Sequence, residues 1–273
     1  MLSNDIFNNK EGISIQQSQK DNITDNNIFL NSNGGIEIHF HSYNESIIDN
    51  NIYSNGGYGI YLRENAIQNV VKDNDITSNN QGIFLNYDSN NNAITDNAVN
   101  NNDYGIYIDS SDTNTVAENV VDNNSYGIYL FESRDSTIKE NIVSNNTGYG
   151  IHLHSSKVTE AYHNNLINNS MNAFDNWPNS WDNGLEGNYW DDYNGTDLDG
   201  DGIGDSFYNI SGGETQDNYP LMQPYFECSV RGDHYPCNGI VLEVELLDYI
   251  NLWVSEEVTD FDLLAAIDNW AFS

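Results

Sequence analysis

Between Asp197 and Asp205 the chain reads Asp-Leu-Asp-Gly-Asp-Gly-Ile-Gly-Asp. Carboxylates fall at loop positions 1, 3, 5 and 9, Gly202 stands at 6, and the Ile203 carbonyl stands at 7. This spacing wraps hard oxygens round one point, which is what Ca²⁺ requires, since it takes about six to eight of them. Tyr208 occupies position 12, where a bidentate Glu would complete an EF-hand. Asp191, Asp192 and Asp217 are the nearby acids that would have to supply the missing oxygens. The expectation is one Ca²⁺ held by Asp197, Asp199, Asp201, Ile203 and Asp205 in a structural role. A solvated acidic turn is the alternative.

Other chemistry-bearing residues lie along a repeated run, Gly-Ile-x-Leu. Its middle position reads Ser14, Glu37, Tyr61, Phe84, Tyr107, Tyr129 and His152 in successive copies. Aromatic side chains in one outward column form a surface for sugar rings, or a ladder that stacks on itself and stabilises a sheet. Just beyond follows a mixed row: His39, His41, Arg63, Glu64, Asp88, Asp109, Glu132, Arg134, Asp135, His154 and Lys157. General acid–base work would be sought there, with Asp109, Glu132 and Arg134 as the candidates. His39 with His41 and His152 with His154 each place two imidazoles on one side of a strand, a two-donor copper or zinc pair at most. The pairs are five coils apart, ~24 Å at the usual inter-strand spacing, so they cannot share an ion.

The element that positions all of this is a repeat. A block close to N-x-x-I-x-D-N-x-I-x-x-N-x-x-Y-G-I-Y-L recurs seven times at intervals of 22 to 24 residues. Fixed periods of this size mean stacked units. Each unit holds short β-branched runs with period two, about four inward apolar positions on three strands. A parallel β-helix satisfies that pattern, with ~4.8 Å between coils and a rod on the order of 40 Å long. Asn4, Asn26, Asn50, Asn74, Asn97, Asn119, Asn141, Asn164 and Asn188 recur at one point of the coil and are expected to bond their counterparts above and below. The glycine before each Ile marks either a positive φ or a close backbone approach.

The repeats, Gly187-Asn188-Tyr189-Trp190-Asp191-Asp192-Tyr193, the acidic loop and Asp217-Asn218-Tyr219-Pro220-Leu221 together resemble the NosD-like right-handed β-helix family. Its members carry CASH repeats and abound on archaeal surfaces. The resemblance implies an all-β, right-handed parallel β-helix solenoid at the cell surface or outside the cell. The family's name implies periplasmic copper handling. Polysaccharide lyases, hydrolases and epimerases share this fold. Neither the paired aspartates of polygalacturonases nor the D-P-H-E of alginate epimerases occurs here.

Composition narrows the partners. Forty-two acids against eight bases give a net charge of −34, which excludes nucleic acid and anionic membrane and favours divalent cations. No apolar run is long enough to span a membrane. Ser3-Asn4-Asp5-Ile6 matches the middle of a unit, so the chain is expected to begin within a coil, its upstream coils and any export signal lying elsewhere.

Residues 1–188 are read as the β-helix, 189–226 as the acidic calcium cap and 227–273 as a helical pair. In the last segment Leu246–Trp253 is echoed by Leu263–Trp270, with Thr259-Asp260 placed to cap the second helix. This resembles a degenerate dockerin, which implies a cohesin-bearing surface partner and one further ion at Asp233, Asn238 and Glu245. A plain hairpin stapled by Cys228 and Cys237 is the alternative. The function expected is a non-catalytic extracellular protein that binds glycans or surface partners. A polysaccharide-modifying enzyme is the rival and a copper-handling protein a minor one.

Overall fold

The computed structural model describes residues 3–225. The expectations for the helical tail, its cysteines and Asp233, Asn238 and Glu245 lie outside those residues. Met1–Leu198 and Ile203–Pro224 form one compact unit. It is a right-handed parallel β-helix of about eight turns, with no helix among the described residues.

Three parallel sheets make the walls, and each takes every third strand in chain order, save that the nine-stranded one ends on Tyr189–Trp190, two strands on. Six-residue strands such as Gly34–His39, Tyr58–Arg63, Gln81–Asn86 and Tyr104–Asp109 form the eight-stranded long sheet. Three-residue strands form the nine- and seven-stranded walls. One coil contributes Ile36, Ile38, Ile47 and Ile52 to the interior, all at 0% exposure. Ile36, Ile60, Ile83, Ile106, Ile128 and Ile151 stand in register as one buried column. Each such aliphatic contributes about 2 kcal/mol by leaving water.

The corners are held by asparagine. Asn97 Nδ2 donates to Asn119 Oδ1 at 2.9 Å, to Val71 O at 2.9 Å and to Thr95 O at 2.8 Å, while its backbone N–H reaches the same Oδ1 at 3.0 Å. One amide thus ties its own coil and the coils on both sides. The column runs unbroken from Asn4 to Asn188. A second column, Asn31, Asn55, Asn79, Asn102, Asn124 and Asn146, does the same at the next corner. Its members stand in the repeat five residues after the first set, and sequence reasoning left them without a role.

The glycine of Gly-Ile-x-Leu is a close approach, not a positive φ. A Cβ at Gly105 would lie 2.6 Å from the Gly127 carbonyl and 2.7 Å from Val121 Cγ1. Positive φ falls instead on the residue before the ladder asparagines ahead of Asn188: Asp25, Asp49, Asp73, Asp96, Glu118, Glu140 and His163 in one column, and Leu30, Ser54, Ser78, Asn101, Asn123 and Asn145 in the other. Asp and Asn tolerate that conformation best among side-chain-bearing residues, which accounts for their frequency there.

The stack is closed at its C-terminal end by aromatic residues and acids. Trp190 stacks on Tyr208 at 4.1 Å and lies 5.7 Å from Trp181. Asp217 takes the place of the next asparagine: its Oδ2 accepts the Asn188 N–H at 2.7 Å and Trp190 Nε1–H at 2.9 Å. Asp175 Oδ2 accepts Trp181 Nε1–H at 3.0 Å. Burial pushes Asp217 up to about 6 against the pull of these donors.

Asn119→Ala should therefore lower unfolding free energy by about 3 kcal/mol, because it strips donors from buried Ile94 and Ala117 carbonyls and the acceptor from Asn97. Urea denaturation followed by circular dichroism measures this, with Gly105→Ala expected to destabilise comparably through its clash with the next coil.

Candidate ligand-binding face

The outward side of the long sheet carries the aromatic column expected from the sequence. Ring centroids are 4.7 Å apart for Tyr61–Phe84, 4.9 Å for Phe84–Tyr107, 5.0 Å for Tyr107–Tyr129 and 4.5 Å for Tyr129–His152. Beside it runs a second column that the sequence reading passed over, Tyr104, Tyr126 and Tyr149, with Tyr58 further along. The signal was the tyrosine before Gly in the repeat. Lateral contacts join the two, Tyr104–Tyr107 at 5.2 Å and Tyr149–His152 at 4.5 Å. Ring faces are spent on neighbouring rings, which leaves ring edges and phenol hydroxyls to face outward. Most of these rings are half-buried. Burial pushes Tyr61 and Tyr129 up to about 12, so they stay neutral, able to donate and to accept hydrogen bonds.

The flanking row separates into two groups. Glu37 and His39, at 6% and 7% exposure, gather with Ser14 and Arg63. Arg63 Nε lies 2.6 Å from Glu37 Oε1, and its Nη1 also reaches Glu64. The guanidinium sits 5.5 Å from the Phe40 ring centroid and 5.7 Å from that of Tyr61. His39 Nε2 is 3.1 Å from Ser14 Oγ and 4.0 Å from Glu37 Oε2. Sequence reasoning held Glu37 and Arg63 in separate columns, because the sequence does not show which long side chains cross between coils.

The three residues considered for catalysis are not joined in this way. Asp109 accepts Ser110 Oγ–H at 2.8 Å, Glu132 and Arg134 are exposed, and among the described residues no ion pair links them.

In the acidic loop, oxygens of Asp197, Asp199 and Asp201 lie within 4.8 Å of one another. Gly200 and Gly202 have φ of 79° and 87°, the conformations that let the loop curl. Asp205 instead braces the loop from within, where its Oδ2 accepts Thr196 Oγ1–H and the Leu198 N–H, both at 3.0 Å. The three helper acids are likewise engaged elsewhere. Asp217 ends the asparagine ladder, Asp191 accepts the Asn168 N–H at 2.7 Å, and Asp192 accepts Tyr208 O–H at 3.0 Å.

Neither histidine pair is joined by a third candidate ligand among the described residues. His152 is enclosed by Tyr129, Tyr149 and Phe174, and its Nδ1 is buried without a hydrogen-bond partner. His154 lies 5.8 Å away, ring to ring. The one group of three or more candidate metal ligands among the described residues is the all-carboxylate cluster, a hard donor set suited to calcium or magnesium and not to copper.

A family model described as periplasmic copper-binding protein (NosD) matches residues 1–103 and again 47–195. No curated protein matches the chain in sequence. Solved structures that share the fold include a mutant of the periplasmic alginate epimerase AlgG, at 19% identity and TM-score 0.60, covering 66% of this chain and 46% of that one. The A-module of the Azotobacter vinelandii mannuronan C-5 epimerase AlgE6 matches at 16% identity and TM-score 0.56, with 64% and 53% covered. DFA-IIIase from Arthrobacter chlorophenolicus A6 matches at 15% and 0.52, with 61% and 43% covered. The chain therefore spans about half the length of these proteins.

One pH dependence follows from the aromatic face. Burial, with His154 adding to it, lowers His152 to about 4, against about 6.5 in an unfolded chain. Between those values the unfolded state binds the extra proton, so stability falls as pH drops from about 6.5 towards 4 and then levels. His152→Phe should flatten that part of the stability–pH curve, as measured by thermal unfolding at stepped pH.

Proposed function

The chain belongs to the NosD family, and we propose that it is an exported, non-catalytic solenoid that binds polysaccharide along the outward face of the long sheet. The observation that carries this is the double column on successive coils, aromatic from Tyr61 to Phe174 on one side and Tyr104, Tyr126 and Tyr149 on the other, with Tyr58 beyond Gln81. A pyranose residue is about as long as the ~4.8 Å coil spacing, so a glycan laid along the stack meets phenol hydroxyls on three successive coils, from Tyr104 and Tyr107, Tyr126 and Tyr129, and Tyr149. Each such hydrogen bond contributes about 1 kcal/mol net, and affinity accumulates over several coils. Two fold neighbours are an alginate epimerase and a mannuronan epimerase, and the family and one of these neighbours are periplasmic by description, which supports both the polymer and the export. No helix among the described residues is long and apolar enough to cross a membrane.

Retention on immobilised polysaccharides tests the reading. Tyr104→Ala combined with Tyr126→Ala should weaken retention at least tenfold while the circular dichroism spectrum stays that of a β-helix. Unchanged retention would move the binding surface elsewhere.

An enzyme is the second reading, and the Ser14, Glu37, His39 and Arg63 cluster favours it as the point on this face where acid, base and cation meet. Polymer turnover, followed by new reducing ends and by unsaturated uronate, should be absent. Turnover abolished by Glu37→Gln or His39→Ala, or by Asp109→Ala or Glu132→Ala in the row first considered, would establish catalysis. Copper handling is disfavoured for this chain by the donor chemistry of its described histidines.

The acidic loop is proposed to hold one Ca²⁺ through Asp197, Asp199 and Asp201 with the Ile203 carbonyl, while Asp205 shapes the loop from within. An ion that binds the native state at a hundred times its Kd stabilises by about 2.7 kcal/mol. EDTA should accordingly lower the melting temperature by several degrees. Asp199→Ala with Asp201→Ala should abolish that response, and an EDTA-insensitive wild type would eliminate the site.

A further inference from the structure

We infer that the polysaccharide this face takes is an uncharged one, and that the face discriminates against polyuronates such as those its fold neighbours modify. The inference rests on the glycan-binding reading above and adds the chemical class of the ligand. It comes from the distribution of charge. The chain carries 42 acids, yet the two aromatic columns exclude them. From Tyr58 to Met171 one column reads Tyr58, Gln81, Tyr104, Tyr126, Tyr149, Met171 along the long sheet. From Tyr61 to Phe174 its neighbour is aromatic at every coil, and its single imidazole, His152, is held neutral by burial.

Recognition of a polyuronate needs cations along the polymer, one for each few carboxylates. Arg63 is the single Lys or Arg in the eight strands of the long sheet, and it is already paired with Glu37 and Glu64. Lys157, in the turn beyond, stands 3.7 Å from the Trp177 ring centroid. The formal charges bordering the strip are instead Glu11, Glu37 and Asp109, in a molecule whose net charge is −34. A polyanion would approach a surface of its own sign, with no free guanidinium inside the strip to receive it; Arg134, exposed, lies beyond it, in the turn that also holds Lys157. Neutral phenols suit hydroxyl-rich, uncharged sugars, because each Tyr O–H both donates and accepts.

Affinity electrophoresis of the full chain decides this, with mannan, xylan and mixed-linkage β-glucan as neutral probes and alginate and polygalacturonate as charged ones. EDTA is present throughout, so that calcium cannot bridge acid to acid. The expected result is retardation by at least one neutral polymer that persists from about 20 to about 500 mM salt, a range over which exposed charge–charge attraction is largely screened. Retardation by either polyuronate should be at least tenfold weaker. Tyr107→Lys with Tyr129→Lys should lose the neutral polymer and gain retardation by alginate. Wild-type retardation by polyuronates equal to or stronger than by neutral polymers would overturn the inference and leave the glycan-binding reading standing. Retardation by no polymer of either class, from protein shown folded by circular dichroism, would remove the reading itself. Self-association on size-exclusion chromatography that the double substitution abolishes would give the strip to a second copy of the chain and overturn both.

Discussion

Everything in this molecule hangs on a buried amide that repeats. A solenoid corner must turn the backbone sharply and leave no peptide group without a partner, and at two corners of the coil one asparagine meets both demands. Its Nδ2 satisfies carbonyls in two coils, and its Oδ1 receives the neighbouring asparagine. The residue before it adopts a left-handed conformation at a cost of about 1–2 kcal/mol for a side chain without a local hydrogen bond. Several hydrogen bonds per rung, each worth about 1 kcal/mol, offset that cost. The aliphatic columns supply more free energy, but they are tolerant of exchange between Ile, Val and Leu. The amide is not tolerant, because no other side chain of its size both donates twice and accepts at that reach.

A ladder of this kind creates a difficulty where it stops, since the last rung offers donors to nothing. The motif after the last coil answers it with carboxylates. Asp217 accepts from Asn188 and Trp190, and Asp175 accepts from Trp181. Acceptor-only groups suit a position that receives N–H donors and has no further coil to give to. The two indoles meanwhile cover the end of the aliphatic interior, both at 1% exposure or less. Asp217, a possible oxygen donor to an ion when counted along the chain, is in place the terminus of a hydrogen-bond column.

Charge is organised just as strictly. A chain with so many acids repels itself, and a saline medium or divalent ions relieve that repulsion by screening. Many of the acids stand at turns, where they precede ladder asparagines, and in the loop after the last coil. The long sheet's aromatic columns are spared, which leaves one neutral strip on a strongly anionic surface. The family's description names copper, yet the described histidines are separated or wrapped in rings, and the hard oxygens are gathered elsewhere.

The sequence by itself determined the repeat, its three-strand coil, the inward Ile and Val columns and the first asparagine ladder. These follow from a period that places like residues over like, and a period is visible in one dimension. It also identified the outward column of Tyr61, Phe84, Tyr107, Tyr129 and His152. Tertiary structure alone decided how those rings are used. Coils about 4.8 Å apart force ring faces together, so edges and hydroxyls form the surface. It decided as well that Glu37 would cross one coil to meet Arg63, that Asp109, Glu132 and Arg134 would stay apart, and that Asp191, Asp192 and Asp217 would be engaged as acceptors at the stack's end. Spacing along the chain says which residues share a coil. Which side chains touch depends on the register between coils and on the turn that aims each residue, and both emerge only when the coils are stacked.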